Sequence, residues 1–374
     1  MTRAARYRTS PGATPASACS GIVPANPCRP TTPPSTPTSP TYPCSKAGLR
    51  SIPQTATSRS CTVSTRIRQR PGFGFAPGSN SSPDCAWSRT PRARDSRVRI
   101  GLHVSIAGGL ARACARARAL RCETIQLFTR SPRGWQAPPL DPEGAAAFRS
   151  GTGAAGIAPV FVHAPYLVNL AAADRGLAAR SRRMLVEELD RAGAIGALGV
   201  VVHPGRSPDR AQGLARVTRE VSRVIRHSRA GTLLLLENTA GARTDIGSRF
   251  EELAAVIAGV PNRDRLGVTL DTAHLFAAGY EVHTRAGLDA TLRDFDATVG
   301  LGRLHLLHLN DSRFPLASGR DRHWHIGRGE IGLDGFRAVV NHPLLRHLPG
   351  ILETPRAAAT DDRRNLAALR RLRA

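Results

Sequence analysis

Within residues 308–329, "HLNDSRFPLASGRDRHWHIGRG", the chain places His308, Asp311, Asp321, His323 and His325 in one short stretch. Imidazole and carboxylate are the donor set for zinc or manganese, while a polar surface loop is the plain alternative. What separates the two is how the chain's other apolar runs end. Eight runs recur: "RIGLHVS" (99–105), "TIQLFT" (124–129), "PVFVHAP" (159–165), "GVVVHPG" (199–205), "TLLLLENT" (232–239), "GVTLDTAH" (267–274), "LHLLHLND" (304–311) and "GILETP" (350–355). The third ends with His163, the fourth with His203 and the fifth with Glu237; the sixth offers Asp271 and His274, the seventh His308, and the eighth Glu353. A lone histidine at such a position is more often a packed core residue. Six consecutive runs ending in His, Asp or Glu point instead to a shared site. With Asp321 and His323 there are four carboxylates and five imidazoles, which are costly to bury together without cations. Nine ligands are too many for one ion and suit three. Such a cluster attracts a phosphodiester and stabilises charge that builds on it during displacement.

The runs alternate with alanine- and arginine-rich segments of helical spacing, such as "RSRRMLVEELDRAGAIGA" (180–197) and "RFEELAAVIAGV" (249–260). Near-continuous apolar strands alternating with helices form a parallel sheet covered by helices. Eight such units over 98–374 predict an α/β protein, a (β/α)8 TIM barrel with its site at the C-terminal strand ends. The rival is a doubly wound open sheet, which normally shows a glycine-rich phosphate loop after its first strand. "HVSIAGG" (103–109) is a weak version of one. Strand alternation turns His305 away from His308, towards the helices. His325 is expected to orient a ligand, and His103 to lie near the mouth without binding metal. His227, His283, His342 and His347 are expected at the surface, and Asn169, Asn238 and Asn310 are expected to orient ligands or loops.

Composition breaks near residue 97. Residues 1–97 hold 15 of the 28 prolines and five of the seven cysteines, in runs such as "PCRPTTPPSTPTSPTYPC" (27–44) that cannot repay chain entropy with a core. A disordered extension is expected there, read as a start codon placed too early, with Val98 as the alternative start, in preference to a basic tail or a transit peptide. The net charge of +25 favours an acidic partner, nucleic acid before anionic lipid. Residues 1–97 carry 14 basic and 2 acidic side chains, so 98–374 keep +13 of it. Lys46 is the only lysine, a skew that suits a GC-rich genome. No close C-x-x-C pair marks a zinc ribbon or thiol redox site, and a reduced, cytosolic compartment fits. No run approaches the ~18 apolar residues of a membrane span.

Over 98–374 the chain resembles the endonuclease IV family of zinc-dependent apurinic/apyrimidinic endonucleases, on "HVSIAGGL", "HAPYLVNL", "HPG", "ENTAG", "LDTAHLFAAGY", "HLNDS", "DRHWHIGRGEIG" and "LET". The resemblance implies a barrel with three zinc ions, manganese being an alternative at one position, that cuts duplex DNA 5′ to an abasic site and leaves a 3′-hydroxyl and a 5′-deoxyribose phosphate. It implies that His163 and His203 bind one ion, with Glu237 bridging to a second. Asp271, His308 and Glu353 complete the second, and His274, Asp321 and His323 hold the third. Glu237, Asp271 and Glu353 are then the carboxylates closest to the chemistry. "FTRSPRGW" (128–135) resembles the family's loop that enters the minor groove, which assigns Arg133 and Trp135 to DNA; the plainer reading has Trp135 capping the barrel edge. Tyr166 matches a tyrosine beside the opened nucleotide. Trp324 and Arg328 stand where acidic residues are frequent in the family. A monomer in the bacterial cytosol, around the nucleoid, is expected. Two rivals share parts of this pattern: a single-metal barrel sugar isomerase or epimerase, which does not need the surplus ligands, and a non-catalytic DNA-binding protein, whose mark would be a missing ligand.

Overall fold

The computed structural model describes residues 97–374, and the expected extension over 1–97 lies, but for Arg97, outside the described residues. Eight parallel strands close into a barrel: β1 (Arg99–Val104), β2 (Ile125–Leu127), β3 (Val160–His163), β4 (Gly199–Val202), β5 (Leu233–Glu237), β6 (Leu266–Asp271), β7 (Leu304–His308) and β8 (Pro349–Leu352). Each strand pairs with its neighbours in sequence, and β1 pairs with β8 to close the ring. Helices α1 (Leu110–Ala119), α2 (Pro142–Ala154), α3 (Arg175–Ala194), α4 (Arg210–His227), α5 (Phe250–Ala258), α6 (Thr272–Ala278), α7 (Arg285–Thr298), α8 (Gly332–Val340) and α9 (Asp361–Leu372) lie between and after them. The open-sheet alternative is excluded by the closure. No helix among the described residues is long and apolar enough to cross a membrane.

Strand periodicity explains how the barrel positions its mouth. Phe161, Val201, Leu235, Leu306 and Ile351 form an interior cluster separate from the apolar layer between strands and helices. Side chains alternate with period two along a strand. The residues two further on are His163, His203, Glu237, His308 and Glu353. An apolar floor therefore sets five polar side chains pointing into the same opening.

Two expectations need correction. His305 does not turn towards the helices: β7 pairs with β6 through an irregularity at Val268/Thr269, which breaks simple alternation. A Cβ on Gly267 would lie 2.3 Å from His305 Cδ2 and 2.7 Å from Leu235 Cδ2, so the His305 ring sits inside the barrel, below the floor and away from the mouth. His342 is not at the surface. It is buried, and its Nε2 meets Asp289 Oδ1 of α7 at 2.7 Å.

Candidate metal centre

The nine side chains singled out by type converge at the C-terminal mouth. Glu237 Oε2 lies 3.2 Å from His163 Nε2 and 3.0 Å from His203 Nε2. Its other oxygen, Oε1, lies 2.9 Å from His308 Nδ1. That nitrogen is also 3.3 Å from Glu353 Oε2 and 3.8 Å from Asp271 Oδ2. Asp271 Oδ2 in turn lies 3.4 Å from His323 Nε2, and Asp321 Oδ1 lies 3.3 Å from His274 Nε2 and 3.7 Å from His323 Nε2. Three groups have donor atoms mutually within 4.8 Å: His163, His203 and Glu237; Glu237, Asp271, His308 and Glu353; and Asp271, His274 and His323. Glu237 joins the first two groups and Asp271 the last two. The resemblance placed Asp271 only in the second group; here it reaches the third as well.

The donor set fits divalent cations. Ligand bonds of about 2.0–2.2 Å around a tetrahedral zinc put its ligand atoms roughly 3.3–3.6 Å apart, close to the separations seen. Glu237 and Asp271 are fully buried, and the basic groups facing them are histidines. His274 Nε2 and His323 Nε2 face one another at 3.3 Å, an arrangement suited to sharing a cation. The opposed charges gathered in the cluster set the proton affinities of its members. Burial alone would lower the His308 pKa, but Glu353 and Glu237 outweigh it and push it up to about 9. Burial raises the Glu237 carboxyl, yet the charges of His203 and His308, with the bonds from His163 and His203, hold it well below the usual range.

Local structure aims each ligand. Asp271 ends β6 and caps α6: its Oδ1 accepts the His274 amide at 2.8 Å, leaving Oδ2 for the cluster. Asn310 Nδ2 donates to that Oδ2 at 2.6 Å, and Asn310 Oδ1 accepts the Glu353 amide at 2.7 Å. Asn238 Oδ1 accepts the Asp271 amide at 2.7 Å. Asn169 binds the loop residues Ala171 and Arg206. Three histidines turn Nδ1 to backbone carbonyls, His163 to Ala164, His274 to Asn238 and His323 to Glu353, at 2.7, 3.0 and 3.3 Å. That fixes Nε2 as the nitrogen facing the cluster. His308 is reversed, with Nδ1 facing in.

The mouth is a cavity of about 830 Å³ lined by several of these ligands together with His103, Phe128, Arg133, Tyr166, Arg322 and Arg356. Tyr166 is 71% exposed and meets Phe128 edge-on at 5.5 Å between centroids. Trp135 does not line the cavity; it packs against the core, with Arg180 5.1 Å from its ring centre. Arg322 and Arg356 escaped the sequence reading, although each directly adjoins or closely follows a ligand position. His325 turns to Asn365 of α9 at 3.2 Å and not to the cluster. His103 Nδ1 lies 3.1 Å from Glu353 Oε1.

A family profile described as a xylose isomerase-like TIM barrel matches residues 114–373. A protein named probable endonuclease 4 from Methanosphaerula palustris is 43% identical over 280 residues, 74% of this chain and 98% of that relative. The crystal structure of endonuclease IV from Thermus thermophilus is similar with a TM-score of 0.66 and 39% identity, covering 73% of this chain and 98% of that one. A structure of L-ribulose 3-epimerase superposes with a TM-score of 0.54 at 18% identity, covering 73% and 92% of the two chains, a likeness of fold alone.

Proposed function

The chain belongs to the endonuclease IV family, and on that premise we propose that it is a zinc-dependent nuclease that cuts duplex DNA on the 5′ side of abasic sites, leaving a 3′-hydroxyl and a 5′-deoxyribose phosphate. The observation that carries the reading is Glu237: fully buried, it presents one oxygen to His163 and His203 and the other to His308. A carboxylate so placed suits a bridge between two cations. His163, His203 and Glu237 would hold one zinc. Glu237, Asp271, His308 and Glu353 would hold a second, and His274, Asp321 and His323 a third, with Asp271 within reach of it. When bound, the ions supply Lewis-acid stabilisation of charge on a phosphodiester and activate water near neutral pH.

The chain's own residues do the rest. Four carboxylates leave a mouth loaded with three divalent ions net positive, and Arg133, Arg322 and Arg356 line the same cavity, which suits it to a phosphate backbone. Tyr166, exposed at the rim, would stack on an opened nucleotide. Trp135 packs against the core under Arg180, which favours its reading as a cap on the barrel edge over a DNA contact. A single-metal epimerase would leave His163, His203, Asp321 and His323 without employment.

Elemental analysis of protein purified without chelator should find about three zinc-type ions per chain. A duplex carrying one abasic site should be cut to a 3′-hydroxyl product. One ion per chain with no cleavage would sink the proposal and favour the epimerase.

A further inference from the structure

Gln126 is the central residue of β2, flanked by apolar side chains and fully buried. It pairs in register with His103 and Phe161, so its side chain shares the barrel interior with them. Its amide nitrogen lies 2.6 Å from Glu353 Oε1 and 3.0 Å from His103 Nδ1, and its oxygen lies 3.0 Å from His308 Nε2. A carboxylate has no proton to give, so the amide must present nitrogen to Glu353 and therefore oxygen to His308. An amide oxygen only accepts. His308 Nε2 must then carry the proton, which leaves Nδ1 to face Glu237, Asp271 and Glu353. His308 is the histidine whose orientation is reversed relative to His163, His274 and His323. Those three are fixed by backbone carbonyls, whereas His308 finds its acceptor in a side chain.

We propose that Gln126 is the positioning residue of the second metal group: it selects the His308 nitrogen that binds and, by holding Glu353 Oε1, turns Glu353 Oε2 to the same point. The inference rests on the reading of that group as a metal site. Partners that orient metal ligands in this way are worth roughly 10–100-fold in affinity.

The test compares full-length wild type with Gln126→Leu and Gln126→Glu by zinc retention after dialysis against graded chelator, and by the visible spectrum of the cobalt(II)-loaded proteins. Gln126→Leu removes the contacts to Glu353, His103 and His308. Gln126→Glu keeps the shape and the acceptor for His308 but sets an oxygen against Glu353 Oε1. Both should release one ion of three at chelator concentrations roughly 10–100-fold lower than wild type, with a change in the cobalt bands of that site and the other two ions retained. A role in packing alone would lower the unfolding temperature and leave spectrum and retention unchanged, which overturns the proposal. Should Gln126→Leu not fold, Gln126→Glu decides on the same readouts. A wild type that holds no ions would overturn the metal reading itself, and this proposal with it; three ions in all proteins with equal retention would overturn this proposal alone.

Discussion

At the scale of single residues, Glu237 is the side chain on which most of the centre depends. It ends β5, where the apolar run leaves its backbone fixed and period two turns it inward beyond Leu235. Both its oxygens are engaged, one at 3.0 Å from His203 and the other at 2.9 Å from His308. Glu237→Gln keeps the shape but leaves one good oxygen and no charge, so the first two ions of the proposed centre would lose their common ligand. A displacement of ~1 Å among reacting groups can cost ~10²-fold. With the loss of Lewis-acid stabilisation added, turnover should fall by at least ~10³-fold. DNA affinity should fall much less, because the residues proposed to meet DNA, Arg133 and Tyr166 among them, remain. Single-turnover cleavage of a duplex with one abasic site reads the effect, and a rate within threefold of wild type would remove Glu237 as the bridge.

At the scale of elements, the loop after β7 shows how a long segment, whose regular structure is a short antiparallel ladder of Asp311–Ser312 with His323–Trp324, is held in place to present candidate ligands. Asp311 is fully buried. Its carboxylate accepts the amides of Ser312, Gly327, Gly329 and Ile331 at 2.9, 2.8, 3.0 and 3.0 Å. Gly329 has no room for a side chain, since a Cβ would lie 2.3 Å from the Ser312 carbonyl oxygen. Asp321 and His323 ride on the loop so gathered. Asp311→Ala would strand several amides, and because water can reach some of them the loss should be about 2–4 kcal/mol, not the full sum. Denaturant unfolding together with metal content should show lower stability and preferential loss of one ion; stability unchanged within about 0.5 kcal/mol would deny Asp311 this part. The barrel and the nine converging side chains could be read from the sequence because both are periodic signals: apolar runs at even spacing, each ending in a ligand type. Asp311 could not be separated from its neighbours, because composition does not say which carboxylate of a loop turns inward onto amides and which outward. Gln126 was hidden for the opposite reason, a single polar residue inside an apolar run, where only the three-dimensional register reveals a partner. His305 was misplaced because a register irregularity leaves no mark in the residue types, and His342 because its partner Asp289 lies far away in sequence.

At the scale of the whole molecule, a closed barrel must join its first strand to its last, and the two chain ends of the described fold meet there. Arg373, just past α9, donates to the Val98 carbonyl at 2.7 Å and to Glu123 Oε1 at 3.0 Å. Glu123 Oε2 accepts the Ile100 amide of β1 at 2.7 Å. One carboxylate thus ties the residue leading into β2, the start of β1 and the C-terminal end of the chain. Burial raises the Glu123 pKa, but the bonds from Arg373 and the Ile100 amide outweigh it and hold it below its ordinary 4.5. A carboxyl whose pKa is lowered by folding adds stability that is fully present above the unfolded value and is lost as pH falls through the folded one. Arg373→Ala should therefore destabilise the protein at pH 7 by about 1 kcal/mol, a modest figure because 31% of the Glu123 side chain is exposed and the pair is partly screened by water. The gap between wild type and variant should narrow as pH drops below about 4.5, while Glu123 takes up its proton in both. The candidate metal centre lies at the opposite end of the strands, so any effect of acid there cancels in the difference between the two proteins. Denaturant unfolding at pH 7, 5 and 4 measures it. A gap that stays constant or widens in acid would show that Arg373 stabilises the closure through the Val98 carbonyl and packing alone, with no share from the Glu123 charge.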